Sequence, residues 1–358
     1  MFLQLIYFDY NNLTIKNSVP IKSYSISMDA ISNDTSTIIV QKDNLINVGD
    51  YIAIKDLNTN SLLYYGQINT VDVNDLDDIV TISSNYIWNL LNGDIIVKNI
   101  SAKSYEKHII TLIKQYIQSN IKVNPLSLYL KNSTNTEFSV SESDGITTIN
   151  FIDYIIRGFK LHNVIFDITE IGVGINNGIP FYFPKIDIHQ NTMELNIKNN
   201  IYDFVNWSVT DSRNIRGYNN ELWIVDKNSI DMENPIILKK YWLKKNGSIT
   251  ESINDDVTLP TQVHIYLYDK SLPDNPSYLN IAQSELSGNS YSHNIQFSIP
   301  IKNNFISFDD LKLGLQSNIY YNNTVYKSIL TGYSFNSDSD LILLNFGNLR
   351  FGKKDLFN

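Results

Sequence analysis

The stretch that decides the fold reads Asn47-Val48-Gly49-Asp50, then Leu63-Tyr64-Tyr65-Gly66-Gln67-Ile68, then an acidic run, then Ile79-Val80-Thr81-Ile82. A Gly-Asp turn precedes apolar segments rich in aromatic and β-branched residues, separated by Asn and Asp, which is the pattern of short strands. The same order recurs near the other end: Leu311-Lys312-Leu313-Gly314, Thr324-Val325-Tyr326-Lys327-Ser328-Ile329, Asn336–Asp340, and Leu341-Ile342-Leu343-Leu344. Ile68 lies twelve positions before Val80, and Ile329 thirteen before Ile342. Gly49 lies nineteen before Ile68 but Gly314 only fifteen before Ile329, so the first copy would carry the longer hairpin loop. Two readings stand. Any two β-meanders with glycine turns can be matched in this way, or the chain carries two copies of one barrel around a middle domain.

Outward from that stretch, residues 1–85 read as strands at 23–28, 37–41, 51–55, 62–70 and 79–83, broken at Asn33-Asp34, Gly49-Asp50, Asn58-Thr59-Asn60 and the acidic run Asp72–Asp78. The period then changes to 3.6. Ser104 reads as an N-cap, and Ile109, Leu112, Ile113, Tyr116 and Ile117 form one stripe of a helix ending near Asn120. A second helix is expected over 148–159, with Ile152, Ile155, Ile156 and Phe159 inward and Gly158 near its end. Strands follow at 164–169, 184–189, 193–197, 204–210, 222–226 and 236–243. The segment 256–304 reads strand (262–268), helix (278–286), strand (293–299), and the last fifty residues return to strands. The expected fold class is α+β and β-rich: two similar small β-barrel domains flanking an α+β middle domain, with a small α+β insertion. The boundaries fall at 1–100 for the first barrel, 101–200 for the middle domain, 201–255 with 305–358 for the second barrel, and 256–304 for the insertion.

Composition removes several function classes. The 358 residues contain no Cys, which excludes disulfide scaffolds, thiol catalysis, iron–sulfur clusters and Cys-based zinc sites. A net charge of −9 argues against a non-specific DNA-binding surface, which needs Lys and Arg to replace phosphate counterions. The 23 Tyr and 16 Phe favour strands over packed helices. Residues 1–10 alternate like a strand and lack a basic region before an apolar one, so neither a signal peptide nor an anchor is expected. No apolar run reaches the length of a membrane span. Asn-x-Ser/Thr triplets at Asn12, Asn99, Asn132 and Asn246 are expected by chance in an Asn-rich chain.

Candidate chemistry is sparse. His108, His162, His189, His264 and His293 show neither an i, i+4 pair nor an HExxH motif; His108 falls in the first turn of the long helix, and for His189, His264 and His293, in or beside strands, hydrogen-bonded structural roles are expected. Asp72, Asp75, Asp77 and Asp78, and again Asp338 and Asp340, read as solvated turns or as calcium sites, although neither group has the ligand order of an EF-hand. Asp167 and Glu170 are a formal carboxylate pair for glycoside hydrolysis, or the end of a strand. Gly145, Gly172, Gly174, Gly178 and Gly247 compose no phosphate-binding loop, and no GxSxG elbow occurs. Trp207, Trp223 and Trp242 could form a sugar platform or fill a core. No catalytic, cofactor-binding or metal residue is assigned.

Three segments resemble the baseplate or tail-tip hub proteins of tailed bacteriophages, the trimeric tail-associated family. The first is Ser36-Thr37-Ile38-Ile39-Val40, followed by 48–56 and Tyr64-Tyr65-Gly66-Gln67-Ile68, similar to the family's opening barrel. The second is Ile281-Ala282 through Leu286, then His293-Asn294-Ile295-Gln296-Phe297, similar to its inserted unit. The third runs from Asp310–Gly314 through Val325-Tyr326 to Leu344–Arg350, similar to the closing strands of the second barrel. The resemblance implies a non-enzymatic homotrimer whose six barrels form a quasi-sixfold ring. That ring would sit against a distal tail protein or tail-tube ring, meet tape-measure and receptor-binding proteins, and let viral DNA pass without specific binding. It implies location at the virion tail tip and no cofactor. Relatives often continue into a C-terminal enzyme or fibre, and such an activity is not expected here. A carbohydrate- or cell-wall-binding β protein and a glycan or peptidoglycan hydrolase are the alternatives.

Overall fold

A computed structural model describes residues 2–30, 34–97, 104–117, 124–136, 147–201, 203–210, 220–246, 248–254, 256–257, 261–271, 277–287 and 293–347. Gly145, Gly247, Asn99, the expected helix end at Asn120 and the closing Leu349-Arg350 lie outside these residues.

The first six strands are β1 (Leu3–Phe8), β2 (Ile15–Asp29), β3 (Thr35–Gln41), β4 (Tyr51–Asp56), β5 (Leu62–Asn74) and β6 (Ile79–Tyr86). They pair antiparallel in the order β1-β4-β5-β6-β3-β2, and β1 also pairs with β2, so the sheet closes into a six-stranded barrel. Alternation fills it: in β3, Ser36, Ile38 and Val40 are buried while Thr35 and Thr37 face out.

A middle layer follows. It holds β7 (Asp94–Val97), α1 (Tyr105–Leu112), β8 (Leu130–Asn132), β9 (Thr147–Asn150), α2 (Phe151–His162), β10 (Val164–Asn176) and β11 (Ile179–Gln190). Ser104 caps α1 as expected, its Oγ accepting from the Lys107 N–H at 3.2 Å. The second helix begins three residues later than expected. Thr147–Asn150 pairs with β7 as a strand, and Asn150 becomes the N-cap, accepting from the Ile152 N–H at 3.0 Å. The strands expected at 164–169 and 184–189 are longer than that: β10 and β11 form one long hairpin across a two-residue Asn177-Gly178 turn. The Phe183 and Phe181 rings lie where a Cβ at Gly172 or Gly174 would stand. Trp88, following β6, packs on Phe159 of α2 and edge-on to Phe166 of β10, and ties the barrel to this layer.

The remaining strands are β12 (Glu194–Lys198), β13 (Val205–Thr210), β14 (Glu221–Asp226), β15 (Ile237–Leu243), β16 (Ile249–Thr250), β17 (Val263–Tyr268), β18 (Asn294–Pro300), β19 (Gln316–Tyr321), β20 (Thr324–Asn336) and β21 (Leu341–Gly347), with α3 (Tyr278–Ser287) after β17. Strand pairing cuts across two of the expected boundaries. β14 and β15 pair with β16 and β17 in a separate four-stranded sheet instead of entering the second barrel. With α3 they bury their own core of Leu222, Ile224, Tyr241, Leu243, Tyr266, Ile281, Ala282 and Leu286. Conversely, β18, expected in the insertion, pairs with β13 and β21. The cause is non-local pairing: β14 is matched in parallel by β17, forty residues downstream, which local pattern cannot register.

The last set runs β12-β19-β20-β21-β18-β13, which is the order of β1-β4-β5-β6-β3-β2. Strand for strand it repeats the first barrel, with two differences. β12 pairs parallel to β19 where β1 runs antiparallel to β4, and among the described residues β12 and β13 do not pair, so this copy is left open at one seam. The bulges repeat too. The register slips between Ile68 and Thr70 on β5 and between Leu330 and Gly332 on β20, which makes Ile68 equivalent to Leu330 and Ser84 to Phe346. Matching the two segments by their apolar positions puts Ile329 opposite Ile68, one residue away from this register.

Candidate functional site

In both copies the same glycine turn leads into the fourth strand of the repeat, β4 or β19. The Gly49 N–H donates to Ile68 O and the Ile68 N–H to Asp50 O, each at 2.9 Å; Gly314 donates to Leu330 O at 2.8 Å and Leu330 to Leu315 O at 2.9 Å. Gly49 (φ 91°) and Gly314 (φ 94°) lie in the left-handed region that L side chains avoid. In the first copy the turn is reinforced by charge. The buried Asp50 accepts from the Asn47 N–H at 3.0 Å and pairs with Lys16 of β2 at 2.7 Å. Lys16 carried no local signal, because the pair spans thirty-four residues.

The two copies are joined through one seam. Ser25–Asp29 of β2 pairs antiparallel with Gly332–Asn336 of β20. Ile26, Met28, Tyr333 and Phe335 are buried there, and Tyr24 meets Phe335 edge-on at 5.8 Å. This junction makes a single twelve-stranded sheet of the two copies.

The candidate carboxylates Asp167 and Glu170 lie three positions apart on β10, and each is engaged by a lysine. Asp167 on β10 pairs with Lys312 at 3.0 Å, and Glu170 pairs with Lys185 across the hairpin at 2.7 Å. The hydrogen bond and charge of Lys185 hold the Glu170 carboxyl below its usual range, opposite to what a general acid requires. Asp167 faces a cleft with Tyr64, Tyr65, Tyr86 and Tyr333; burial raises the phenol of Tyr333, and the nearby Asp167 charge adds to it. In the acidic loop, Asn74 donates to Asp77 at 2.7 Å, Gln41 to Asp78, and Lys42 to Asp75 at 2.5 Å. Asp338 accepts from Ser337 Oγ at 3.1 Å in the matching turn of the second copy, and the backbone oxygen of Asp340 accepts from the Ile301 N–H at 2.8 Å. Among the described residues no three His, Asp or Glu side chains converge on a metal position.

The histidines are dispersed. His108 is buried edge-on to Tyr154, His162 stacks obliquely on Tyr105 at 4.8 Å, and burial pushes both imidazoles down to about 4. His189 lies 3.7 Å from Asp187, which also takes Ser133 Oγ at 2.5 Å and Lys131 at 3.3 Å. His264 on β17 meets Glu285 of α3 at 3.3 Å, and His293 Nε2 bonds Ser328 Oγ at 2.7 Å. Trp207 stacks on Phe297 at 4.3 Å and donates to Phe204 O at 2.9 Å. Trp223 and Trp242 sit in the other sheet, Trp223 under the Lys240 ammonium at 3.8 Å. Trp207 is therefore a packing residue, and the three indoles do not form one platform.

One buried acid escaped the sequence reading. Burial opposes ionisation of Glu106 at the start of α1, but bonds from Thr134 Oγ1 (2.6 Å), Thr136 Oγ1 (2.7 Å) and the Thr136 N–H (2.7 Å) outweigh it and lower its carboxyl. Its partners lie about thirty residues away, and a lone Glu in a first helical turn reads only as a favourable charge near the helix N-terminus.

Solved structures share this architecture from end to end. The chain resembles a component of the p2 virion baseplate in its activated conformation, with a TM-score of 0.53 and 15% identity over 98% of this chain and 100% of that one. A tail protein from Neisseria meningitidis MC58 aligns over 96% of both chains, with a TM-score of 0.51 and 9% identity. The 43 kDa tail protein of prophage MuSo2 from Shewanella oneidensis covers 96% of this chain and 98% of its own, with a TM-score of 0.51 and 8% identity. This chain has the phage baseplate and tail protein fold. No family model and no curated protein matches its sequence. The shared fold is β-rich α+β with a closed six-stranded barrel, as the sequence pattern and the resemblance implied. Among the described residues no helix is long and apolar enough to cross a membrane.

Proposed function

We propose that the chain is a structural hub of a phage tail tip or baseplate, working as a homotrimer in which six barrel copies form a quasi-sixfold ring. The observation that carries this reading is the internal repeat, two copies of one six-stranded ladder joined in one sheet, within a fold shared along its whole length with baseplate and tail proteins. Three chains with two copies each supply six similar units, which suits a threefold part to a hexameric tube or distal tail ring. On this reading the domains are the closed barrel, the helix-and-hairpin layer, the open second copy, and the four-stranded unit with its separate core inserted into that copy. The layer and the inserted unit lie outside the ring and face tape-measure or receptor-binding partners.

The hub works without catalysis or a cofactor. Its candidate carboxylates are bound by lysines and turn amides, and the one whose ionisation is shifted is stabilised as an anion. A net charge of −9 keeps DNA from adhering as it passes through the tail tip. Immunogold labelling of virions with antibody to this chain tests the location. Label at the distal end of the tail is expected; label confined to the capsid or absent from virions overturns the reading.

A further inference from the structure

The two copies present two kinds of sheet edge, and the chain satisfies only one edge of each kind. The first kind is the extension of the long hairpin strand beyond its partner: 332–336 of β20 beyond β19, and 70–74 of β5 beyond β4. The second is the strand beside β3 or β18: 25–29 of β2, and 208–210 of β13. Within the chain, the β20 extension of the second copy pairs with the β2 segment of the first, in register Ser25–Asn336, Ile26–Phe335 and Ser27–Ser334. The β5 extension and the β13 segment are left over. β5 is covered on one edge by β6, β13 on one edge by β18, and among the described residues no strand pairs with the other edge of either segment.

The repeat fixes how these leftover edges would fit. The shared bulge makes Asn74, Val73 and Asp72 the equivalents of Asn336, Phe335 and Ser334. Thr37 is opposite Ser25 and Ser83, and Gln296 is opposite Ser208 and Asn345, which makes Ser208, Val209 and Thr210 the equivalents of Ser25, Ile26 and Ser27. Burial shows the difference that a missing partner makes. Phe335 is 2% exposed and Ile26 fully buried at the internal seam, whereas Val73 is 53% exposed and Leu76, just beyond it, 97% exposed. An unpaired strand edge bearing exposed apolar side chains is a template for another chain.

We infer that residues 70–74 of one chain pair antiparallel with 208–210 of a second copy, in register Asn74–Ser208, Val73–Val209 and Asp72–Thr210, so that the seam between chains repeats the seam within each chain. The contact is head-to-tail: each chain offers one edge and receives the other, so successive chains turn in one sense and close when the rotation closes. That closure occurs at three chains rests on the proposed trimeric hub; the strand pairing does not.

The absence of Cys makes the test clean. The full-length double variants Asn74→Cys with Ser208→Cys, and Asp72→Cys with Thr210→Cys, are oxidised at assembly concentration and resolved on non-reducing gels beside light scattering. Covalent dimers and trimers from the double variants, and no covalent trimers from either single variant, are expected. A trimer by light scattering without a cross-link in either register overturns the strand pairing and leaves the trimeric hub standing. Monomers alone, even with tail partners present, overturn the trimer. A disulfide that forms within one chain overturns the pairing as well. Val73→Lys gives a second readout: native-like circular dichroism with at least tenfold weaker self-association is expected, and unchanged association contradicts the seam.

Discussion

Substituting the two turn glycines separates a shared backbone requirement from a packing requirement that only one copy has. Gly49 and Gly314 hold the same turn with φ of 91° and 94°, so alanine at either position costs about 1–2 kcal/mol of left-handed backbone strain. Space differs. A Cβ at Gly49 meets nothing within 4 Å, whereas one at Gly314 would stand 2.7 Å from Phe159 Cδ1 and 2.9 Å from Ile165 Cγ2. Both neighbours are buried, Phe159 completely, and belong to the layer packed under the second copy. They cannot swing away, so overpacking adds about 1–3 kcal/mol for Gly314→Ala and nothing for Gly49→Ala. Urea unfolding followed by tryptophan fluorescence is expected to show a small loss of midpoint for Gly49→Ala and roughly twice that loss or more for Gly314→Ala. Exchange of the Leu330 amide, which bonds across the turn, should accelerate in the second variant only. Equal losses in the two variants, or a Gly314→Ala chain as stable as the parent, would refute the reasoning.

Three further outcomes follow from the side-chain environments. Lys16→Met strands the buried Asp50 carboxylate and is expected to cost about 3–5 kcal/mol, whereas Lys185→Met at the exposed Glu170 pair should leave the urea midpoint almost unchanged. Phe297→Ala removes a ring stacked between Trp207 and Phe346 and should cost about 3–5 kcal/mol, with a change in tryptophan emission in the folded state. His108 and His162 take up protons near 6.5 when unfolded but only near 4 when folded. Stability should therefore fall as pH drops from about 6.5 to about 4, and the His108→Gln/His162→Gln double variant should show a shallower fall across that window.

The sequence was most legible where the structure is local. The strands of 1–85, the Ser104 cap and α3 (expected at 278–286, found at Tyr278–Ser287) follow from alternation, capping and period, each set by near neighbours along the chain. The repeat was visible but one residue out of register. Its alignment rested on apolar positions, whereas the true register is set by a bulge after Ile68 and after Leu330 that composition does not mark. The length of β10 and β11 was not legible, because Gly172 and Gly174 lack a side chain to continue the alternation and each is covered instead by a phenylalanine from the facing strand. The boundaries of the inserted unit were the least legible, because β14, β15 and β18 look alike in sequence and differ only in which distant strand they pair with. For the site, the Lys16–Asp50 pair and the Glu106 cluster join residues too far apart in sequence to be linked by any local pattern.

The central claim is that two barrel copies per chain become six in an assembled ring. Electron microscopy of the purified full chain, alone and with its tail partners, tests it most directly, with particle mass measured beside it. Particles of three times the 41.1 kDa chain mass are expected, with threefold symmetry and six similar lobes around a central opening. Monomers under every condition, or a ring whose number of lobes is not twice three, would contradict it.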